Sequence, residues 1–257
     1  MIEGLSIVYP MYNEKDNIRE AVSEALRVGH EITSDFEVVI VNDCSTDGCD
    51  RIADELSSIY PEVKAVHHKQ NRGLGGAIRS GFDAATKQWV LYIDGDLPIK
   101  MDDAKLAMPL TQEADIVIGW RKSRAESMKR EIMSKAYNRI IRTFFDLHVI
   151  DVNFAFKLCR KSFLDKILLT SEGSFIDAEL LLEMKRVGAR FAEIGLDYYP
   201  RVAGVSTLAS NKVVIKILGE MLAYRLEAHG KQSNSFSGKR RRLWLERANQ
   251  RGNNIGI

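Results

Sequence analysis

Two aspartates stand two positions apart after an apolar run, in the segment Asp94-Gly95-Asp96. The preceding residues 90–93 are continuously apolar, as buried parallel strands are. Carboxylates at this spacing can converge on one hard cation, and Gly95 permits close backbone approach. Mg²⁺ and Mn²⁺ prefer oxygen ligands and often complete their shell with substrate phosphates. We therefore predict a Mg²⁺ or Mn²⁺ site at Asp94 and Asp96, the alternative being an exposed acidic turn.

Three further polar clusters follow earlier apolar runs, at residues 10–14, 42–48 and 71–76. In an open parallel sheet, ligands bind beyond the carboxyl ends of the strands, so all four clusters are expected at one edge. Each alone could be a turn or a helix cap, but four together favour a binding site. The glycines at 73, 75 and 76 fit neither a Walker loop nor a dinucleotide fingerprint, which weakens an ATPase or dehydrogenase interpretation.

The elements that must position these clusters alternate between strand and helix, which predicts βαβ units and a mostly parallel sheet. Apolar runs and helical periodicity predict the following elements. Strands are expected at 5–9, 36–41, 63–67, 89–93, 115–119 and 154–159, with an extended segment at 190–199. Helices are expected at 16–28, 73–85, 102–110, 127–145, 175–187 and 211–226. A further helix is expected directly after Thr46-Asp47, which can cap its amino terminus.

Composition is that of an ordinary globular protein, with 257 residues, 45% hydrophobic and 28% charged, and a net charge of +2. The charge is unevenly spread, because residues 121–142 and 225–257 each hold eight basic and two acidic side chains, about +6 per zone. No apolar run is long enough to span a bilayer, and the start of the chain does not read as a signal peptide, so we expect a cytoplasmic protein. Cys44, Cys49 and Cys159 fit no zinc or redox spacing and are expected to be reduced core residues.

The clusters stand in the order and spacing of a known family. The segments Pro10-x-Tyr-Asn-Glu14, Asn42-Asp-x-Ser-x-Asp-Gly48, Asn71-x-Gly-Leu-Gly75 and Asp94-x-Asp96 resemble the family-2 glycosyltransferases of GT-A fold. Later segments are similar to the dolichyl and polyprenyl-phosphate sugar synthases, such as the dolichol-phosphate mannosyltransferases. These are Gly119-Trp-Arg121, Arg130-x-x-Met-Ser134, Asp151-Val-Asn-Phe-Ala-Phe156, Phe175-Ile-Asp-Ala-Glu179 and Tyr199-Pro-Arg-Val-Ala-Gly-Val-Ser206. The resemblance covers about residues 4–210.

The resemblance implies a Rossmann-like α/β GT-A domain that moves a hexose, with inversion, from a nucleoside-diphosphate sugar to a polyprenyl or dolichyl phosphate. GDP-mannose or a UDP-hexose would be the donor, and Mg²⁺ or Mn²⁺ the cofactor. Donor-binding residues would be Pro10, Tyr12, Asn13, Glu14, Asp43, Asn71, Gly73, Asp94, Gly95 and Arg121. Catalytic residues would be Asp96, Asp177, Arg130 and Arg201, with Arg121, Arg130 and Arg201 binding phosphates of donor and acceptor.

The expected chemistry limits the role of Asp177. A lipid phosphate is already ionised, with a second pKa of about 6, so it needs no base to activate it. Asp177 would then orient sugar hydroxyls or stabilise the oxocarbenium character of the transferred sugar. The alternative is that Asp177 and Glu179 belong to an exposed helix face. Zone 121–142 is either a solvated helix face or, through its arginines, a phosphate-binding surface.

We divide the chain into a GT-A domain at 1–210, an amphipathic helix at 211–230 and a basic tail at 231–257. The helix and tail either pack against the protein or lie on an anionic membrane, a peripheral contact. Nucleic-acid binding is unsupported by one basic cluster. Three departures from the family pattern leave the third metal ligand and the acceptor open: Leu97-Pro98-Ile99, Ala155 and Thr207. The alternatives are a glycosyltransferase with a non-lipid acceptor and a catalytically silent nucleotide-sugar-binding subunit.

Overall fold

The computed structural model describes residues 2–122, 128–199, 219–222 and 224–225 of the chain, with only the backbone for 128–133. Seven strands and six α-helices are described in these ranges. The strands are β1 (Leu5–Met11), β2 (Phe36–Asn42), β3 (Val63–His67), β4 (Trp89–Ile93), β5 (Ile116–Arg121), β6 (Phe156–Arg160) and β7 (Phe191–Leu196). The helices are α1 (Ile18–Ile32), α2 (Cys49–Ile59), α3 (Gly73–Ala84), α4 (Met128–Phe145), α5 (Lys161–Leu164) and α6 (Ile176–Arg186).

The strands form one sheet in the order β3-β2-β1-β4-β6-β5-β7. All neighbouring pairs are parallel except those of β6, which runs antiparallel to both β4 and β5. The prediction of a mostly parallel sheet is therefore confirmed, although the direction of β6 was not anticipated. The central strands β1, β2 and β4 are buried along their whole length, which explains their continuous apolar runs.

Helices cover both faces of the sheet. Apolar side chains of α1 and α2 pack on one face, where Val22 and Leu56 join Ile7 in the core. Side chains of α3, α4 and α6 pack on the other face, where Phe82 and Leu181 join Val39. The loops after β1, β2, β3 and β4 therefore meet at one edge, held between two helical layers.

The predicted helix at 102–110 is wrong in type. The segment forms two 3-10 helices, Met101–Ala107 and Pro109–Gln112. Pro109 lacks an N–H and its ring clashes with the carbonyl four residues earlier, so an α-helix cannot continue through it. The short helix α5 was not predicted, and β6 begins two residues later than predicted.

The carboxy-terminal predictions lie mostly outside the described residues. Residues 219–222 and 224–225 are helical, in agreement with the helix expected at 211–226. The tail at 231–257 and the domain boundary near 210 are not among the described residues and stay predictions. Within the ranges that are described, no helix is both long and apolar enough to cross a bilayer.

Candidate active site

The loops after β1 and β2 hold each other through side chains of their own motifs. Asn13 has a left-handed backbone, with φ of 56°, and its N–H donates to Ser45 Oγ at 3.0 Å. Its side-chain Oδ1 accepts from the N–H of Thr46 at 2.8 Å. Asp47 Oδ2 accepts from the N–H of Lys15 at 2.9 Å. The predicted donor-binding residue Asn13 therefore joins the two loops, whatever ligand it also contacts.

Asp43 lies beneath these loops and is almost fully buried. Its N–H donates to the Met11 carbonyl at 2.9 Å, which ties the ends of β2 and β1 together. Its Oδ1 accepts from the Arg72 N–H at 2.8 Å and lies 2.6 Å from His68 Nδ1. The side chain of Asn71 donates to the Asp43 carbonyl at 3.2 Å. The second and third motifs thus converge on one buried carboxylate.

The glycines of the third motif admit a neighbouring loop. Gly73 has φ of +71°, and a Cβ on Gly75 would lie 2.1 Å from the Ser171 carbonyl oxygen. The Gly75 N–H donates to the Glu172 carbonyl at 3.0 Å. That loop is shaped by the buried carboxylate of Glu179, which accepts from the backbone of residues 170 and 171 at 2.8–3.0 Å. Because Gly73 and Gly75 have no side chain, α3 can pack directly against this loop.

Asp94 and Asp96 lie at the end of β4, where the sequence places them. Tyr92 Oη donates to Asp94 Oδ1 at 3.0 Å, and Asp96 is buried. A Cβ on Gly95 would lie 2.2 Å from Met11 Sδ, so the turn packs tightly on β1. Burial, together with the negative charges of Asp96 and Asp177, raises the pKa of Asp94 to about 7. Three carboxylates therefore share one region of negative potential.

Asp177 is buried in an ion pair with Lys157. The two side chains are 5% and 0% exposed, and Lys157 Nζ also donates to the Phe154 carbonyl at 3.0 Å. Burial raises the pKa of Asp177, an effect that the Lys157 ammonium opposes. The alternative of an exposed face for Asp177 and Glu179 is therefore wrong, since both are buried.

Lys157 is a residue of this site that the sequence motifs did not predict. Its ammonium lies 5.4 Å from the ring centroid of Tyr92, the residue that donates to Asp94. The available signal was a single cation inside the apolar run of residues 154–158, because an unpaired charge is not tolerated in a buried strand. That signal would have indicated a buried partner, though not which one.

Arg121 is held by the protein in the structure. Its Nε and Nη2 donate to the two carboxylate oxygens of Asp151 at 2.7 and 3.1 Å. The guanidinium also lies 5.6 Å from the ring centroid of Phe154 and 5.5 Å from that of Tyr198. Its role at a phosphate stays a prediction. The side chain of Arg130, and all of Arg201, lie outside the described residues.

The remaining predicted residues surround the edge formed by these loops. Pro10 is buried at the end of β1, Tyr12 is 48% exposed, and Glu14 Oε2 accepts from the Asn17 side chain at 2.6 Å. The described ranges hold no group of three or more His, Cys, Asp or Glu arranged for a metal ion. A cation at Asp94 and Asp96 would therefore take its other ligands from elsewhere, as Mg²⁺ does from substrate phosphates.

The cysteines divide into two kinds. Cys49 and Cys159 are buried, as expected of reduced core residues, and burial raises their thiol pKa values to about 11 and about 12. Cys44 is half-buried and has φ of 61°, in the loop after β2. The expectation that all three are core residues is therefore wrong for Cys44, because it follows the strand instead of lying within it.

Solved structures with a similar fold include glucosyl-3-phosphoglycerate synthase from Mycobacterium tuberculosis. Its complex with uridine diphosphate matches with a TM-score of 0.67 and 17% identity, over 87% of this chain and 80% of that one. Its complex with Mn²⁺ and UDP-glucose matches with a TM-score of 0.63 and 17% identity, over 85% and 78%. At this identity the likeness establishes the fold, which is GT-A as predicted.

Curated relatives match most of the chain. Glycosyltransferase AglD of Haloferax volcanii is 28% identical over 207 residues, 77% of this chain and 33% of the relative. Glycosyltransferase AglJ of the same organism is 30% identical over 212 residues, 80% and 66%. The undecaprenyl-phosphate 4-deoxy-4-formamido-L-arabinose transferase of Aeromonas hydrophila is 25% identical over 175 residues, 67% and 54%. The chain thus spans one third to two thirds of the length of these relatives.

A family model also matches the chain. The model described as Glycosyl transferase family 2 matches residues 6–168, which is more than half of the sequence and includes all four polar clusters at the sheet edge. This chain therefore belongs to glycosyl transferase family 2.

Proposed function

We propose that the protein is a metal-dependent, inverting glycosyltransferase that moves a hexose from a nucleoside-diphosphate sugar to a polyprenyl phosphate. The observation that carries the proposal is the carboxylate cluster of Asp94, Asp96 and Asp177 at the sheet edge of a family 2 domain. The undecaprenyl-phosphate aminosugar transferase among the relatives supports a polyprenyl-phosphate acceptor.

Asp94 and Asp96 fit a divalent cation. Burial, together with the negative charges of Asp96 and Asp177, raises the pKa of Asp94 to about 7, and a cation between Asp94 and Asp96 would relieve the repulsion between these carboxylates. When bound, Mg²⁺ or Mn²⁺ would stabilise the negative charge that develops on the departing nucleoside diphosphate. Tyr92 holds Asp94 in position by its hydrogen bond to Oδ1.

The donor base and ribose would lie over the loops after β1 and β2. The exposed ring of Tyr12 offers an apolar face to a base, and the buried carboxylate of Asp43 offers an acceptor. Asn13, Glu14 and Pro10 shape this end of the edge. Asn71, Gly73 and Gly95 would then flank the donor mainly through backbone, and Arg121 would act only if its pair with Asp151 rearranged.

A phosphate acceptor agrees with the surroundings of Asp177. A base must be free to take a proton from an acceptor hydroxyl, whereas Asp177 is engaged by the Lys157 ammonium. A phosphate is already ionised and needs no such base. Asp177 would instead face the transferred sugar and favour positive charge at its reacting carbon. We keep Arg130 and Arg201 as the proposed phosphate-binding residues on the acceptor side.

Contact with an anionic membrane surface is part of the proposal. Near the end of α4, Phe144 is exposed, and Arg225 stacks on its ring at 5.1 Å from the centroid. Leu222, one turn before Arg225, is also exposed. Apolar side chains beside cations suit the interface of an anionic bilayer.

The test follows radiolabel from nucleotide sugars into two kinds of acceptor. The protein is incubated with labelled GDP-mannose or UDP-hexoses, Mn²⁺ or Mg²⁺, and either polyprenyl phosphate or water-soluble sugars and phosphates. We expect label in the organic phase with one donor. Label that enters only water-soluble products would favour the non-lipid alternative, and no transfer with any donor would favour a silent binding subunit.

The metal assignment has its own test. D96N should abolish transfer and Mn²⁺ binding measured by calorimetry. The matched control is D83N, at an exposed aspartate of α3, which should leave both unchanged. Mn²⁺ binding by D96N at wild-type affinity would contradict the assignment.

A further inference from the structure

His68 connects the Asp43 carboxylate to helix α3. Its Nδ1 lies 2.6 Å from Asp43 Oδ1, and its Nε2 lies 2.8 Å from Ser80 Oγ. The His68 and Asp43 side chains are only 5% and 4% exposed, so water cannot replace these bonds freely. Asp43 is a predicted donor-site residue, whereas His68 and Ser80 lie in none of the motifs that predict the site.

The neighbours of the ring determine which nitrogen carries the proton. Arg72 Nη1 lies 3.4 Å from His68 Nε2 and 3.1 Å from Ser80 Oγ. A guanidinium only donates hydrogen bonds, so we assign Nε2 beside it as the accepting nitrogen of the ring. The Ser80 hydroxyl then donates to Nε2, and Nδ1–H donates to Asp43. Arg72 and Ser80 thus favour the tautomer whose Nδ1–H faces the Asp43 carboxylate.

The same contacts fix the orientation of the carboxylate. The Arg72 backbone N–H donates to Asp43 Oδ1 at 2.8 Å, the oxygen that His68 also reaches. Among the described residues, the hydrogen bonds to this carboxylate all end on Oδ1. Oδ2 is therefore the atom left to accept a bond from a ligand. A carboxylate fixed before binding loses little rotamer freedom when the ligand arrives.

We propose that His68 is a positioning residue of the donor site, which holds Asp43 so that Oδ2 accepts a hydrogen bond from the nucleotide. Ser80 and Arg72 act one step further out by fixing the ring tautomer. The inference rests on the proposed function, because it takes a nucleoside diphosphate as the ligand of Asp43.

Two amide variants separate the two ends of the ring. In H68N the amide nitrogen occupies the place of Nδ1 and still reaches Asp43, whereas in H68Q it occupies the place of Nε2 and reaches only Ser80. Binding of UDP and of GDP with Mn²⁺ is measured by calorimetry on the full chain. We expect H68N to bind close to wild type and H68Q to bind about tenfold or more weakly, the loss for one hydrogen bond to a charged group. H67N is the control, since His67 faces Asn42 and Asp54 instead.

A double-mutant cycle with D43N distinguishes positioning from general loss of structure. If His68 acts through Asp43, H68Q should weaken nucleotide binding in the wild-type background but not further in D43N. Additive losses, an unchanged H68Q, or an H68N as weak as H68Q would overturn the inference. Failure of the wild type to bind either nucleotide would overturn the proposed function, and this inference with it.

Discussion

Replacing Lys157 by methionine should remove the only charge that faces Asp177 at bonding distance in the described structure, with little change in side-chain volume. Both side chains are buried between α6 and the sheet, at 0% and 5% exposure. In K157M the carboxylate would stay in the interior without its cation, and the Phe154 carbonyl would lose its donor. The variant therefore measures the cost of an uncompensated buried charge at this site.

The expected cost is about 3–5 kcal/mol in the free energy of unfolding, the range for breaking one partner of a buried pair. Changing both partners removes the charge problem. K157M/D177N leaves a neutral amide, whose unmet hydrogen bonds cost about 1–3 kcal/mol. The double variant should therefore be more stable than the single one, although it carries more substitutions.

Urea unfolding followed by circular dichroism gives the free energies, provided that the slope with denaturant stays constant among variants. K161M is the matched control, because Lys161 pairs with Asp165 at 2.7 Å at 17% and 39% exposure and should cost less than about 1 kcal/mol. A K157M protein as stable as K161M, or a double variant no more stable than K157M, would refute the account of this ion pair.

Three further outcomes are expected. G75A should destabilise the protein by about 1–3 kcal/mol in thermal unfolding, since its Cβ would overlap the Ser171 carbonyl. G219A is the control and should be neutral or stabilising, because no described atom lies within 4 Å of the added Cβ. Equal effects of the two substitutions would contradict the packing role of Gly75. Mn²⁺ binding should strengthen from pH 6 to pH 8, because the Asp94 pKa is raised to about 7 and its proton must leave before the metal binds; a flat calorimetric profile would contradict this. At pH 8 a thiol reagent should label Cys44 alone in the native protein, as counted by mass spectrometry. Rapid labelling of all three thiols would show that the buried cysteines are accessible.

Much of the sheet edge could be predicted because the signals are local. An apolar run followed by Asp-Gly-Asp requires only a buried strand and a turn, and Asp94 and Asp96 lie where that pattern puts them. The same holds for Asn13 and Asp43, since parallel strands carry their loops to one edge. These predictions did not depend on knowing how distant segments pair.

The surroundings of Asp177 could not be predicted, because they depend on the direction of β6. In the antiparallel register Tyr92 is paired with Lys157, which brings the ammonium to the ring and to α6. An apolar run indicates a buried strand, but it contains no information on whether the neighbour is parallel or antiparallel. The glycines near residue 75 posed a similar problem, since their neighbour is a loop about 100 residues away.

The contact between α3 and the loop after α5 is made by backbone atoms on both sides. Gly75 meets the carbonyls of Ser171 and Glu172, while the Glu172 side chain is exposed. A substitution at position 172 should therefore destabilise the protein less than a substitution of Glu179, whose carboxylate shapes the loop. A fluorophore attached through E172C would report on the edge of the sheet without altering the packing that forms it.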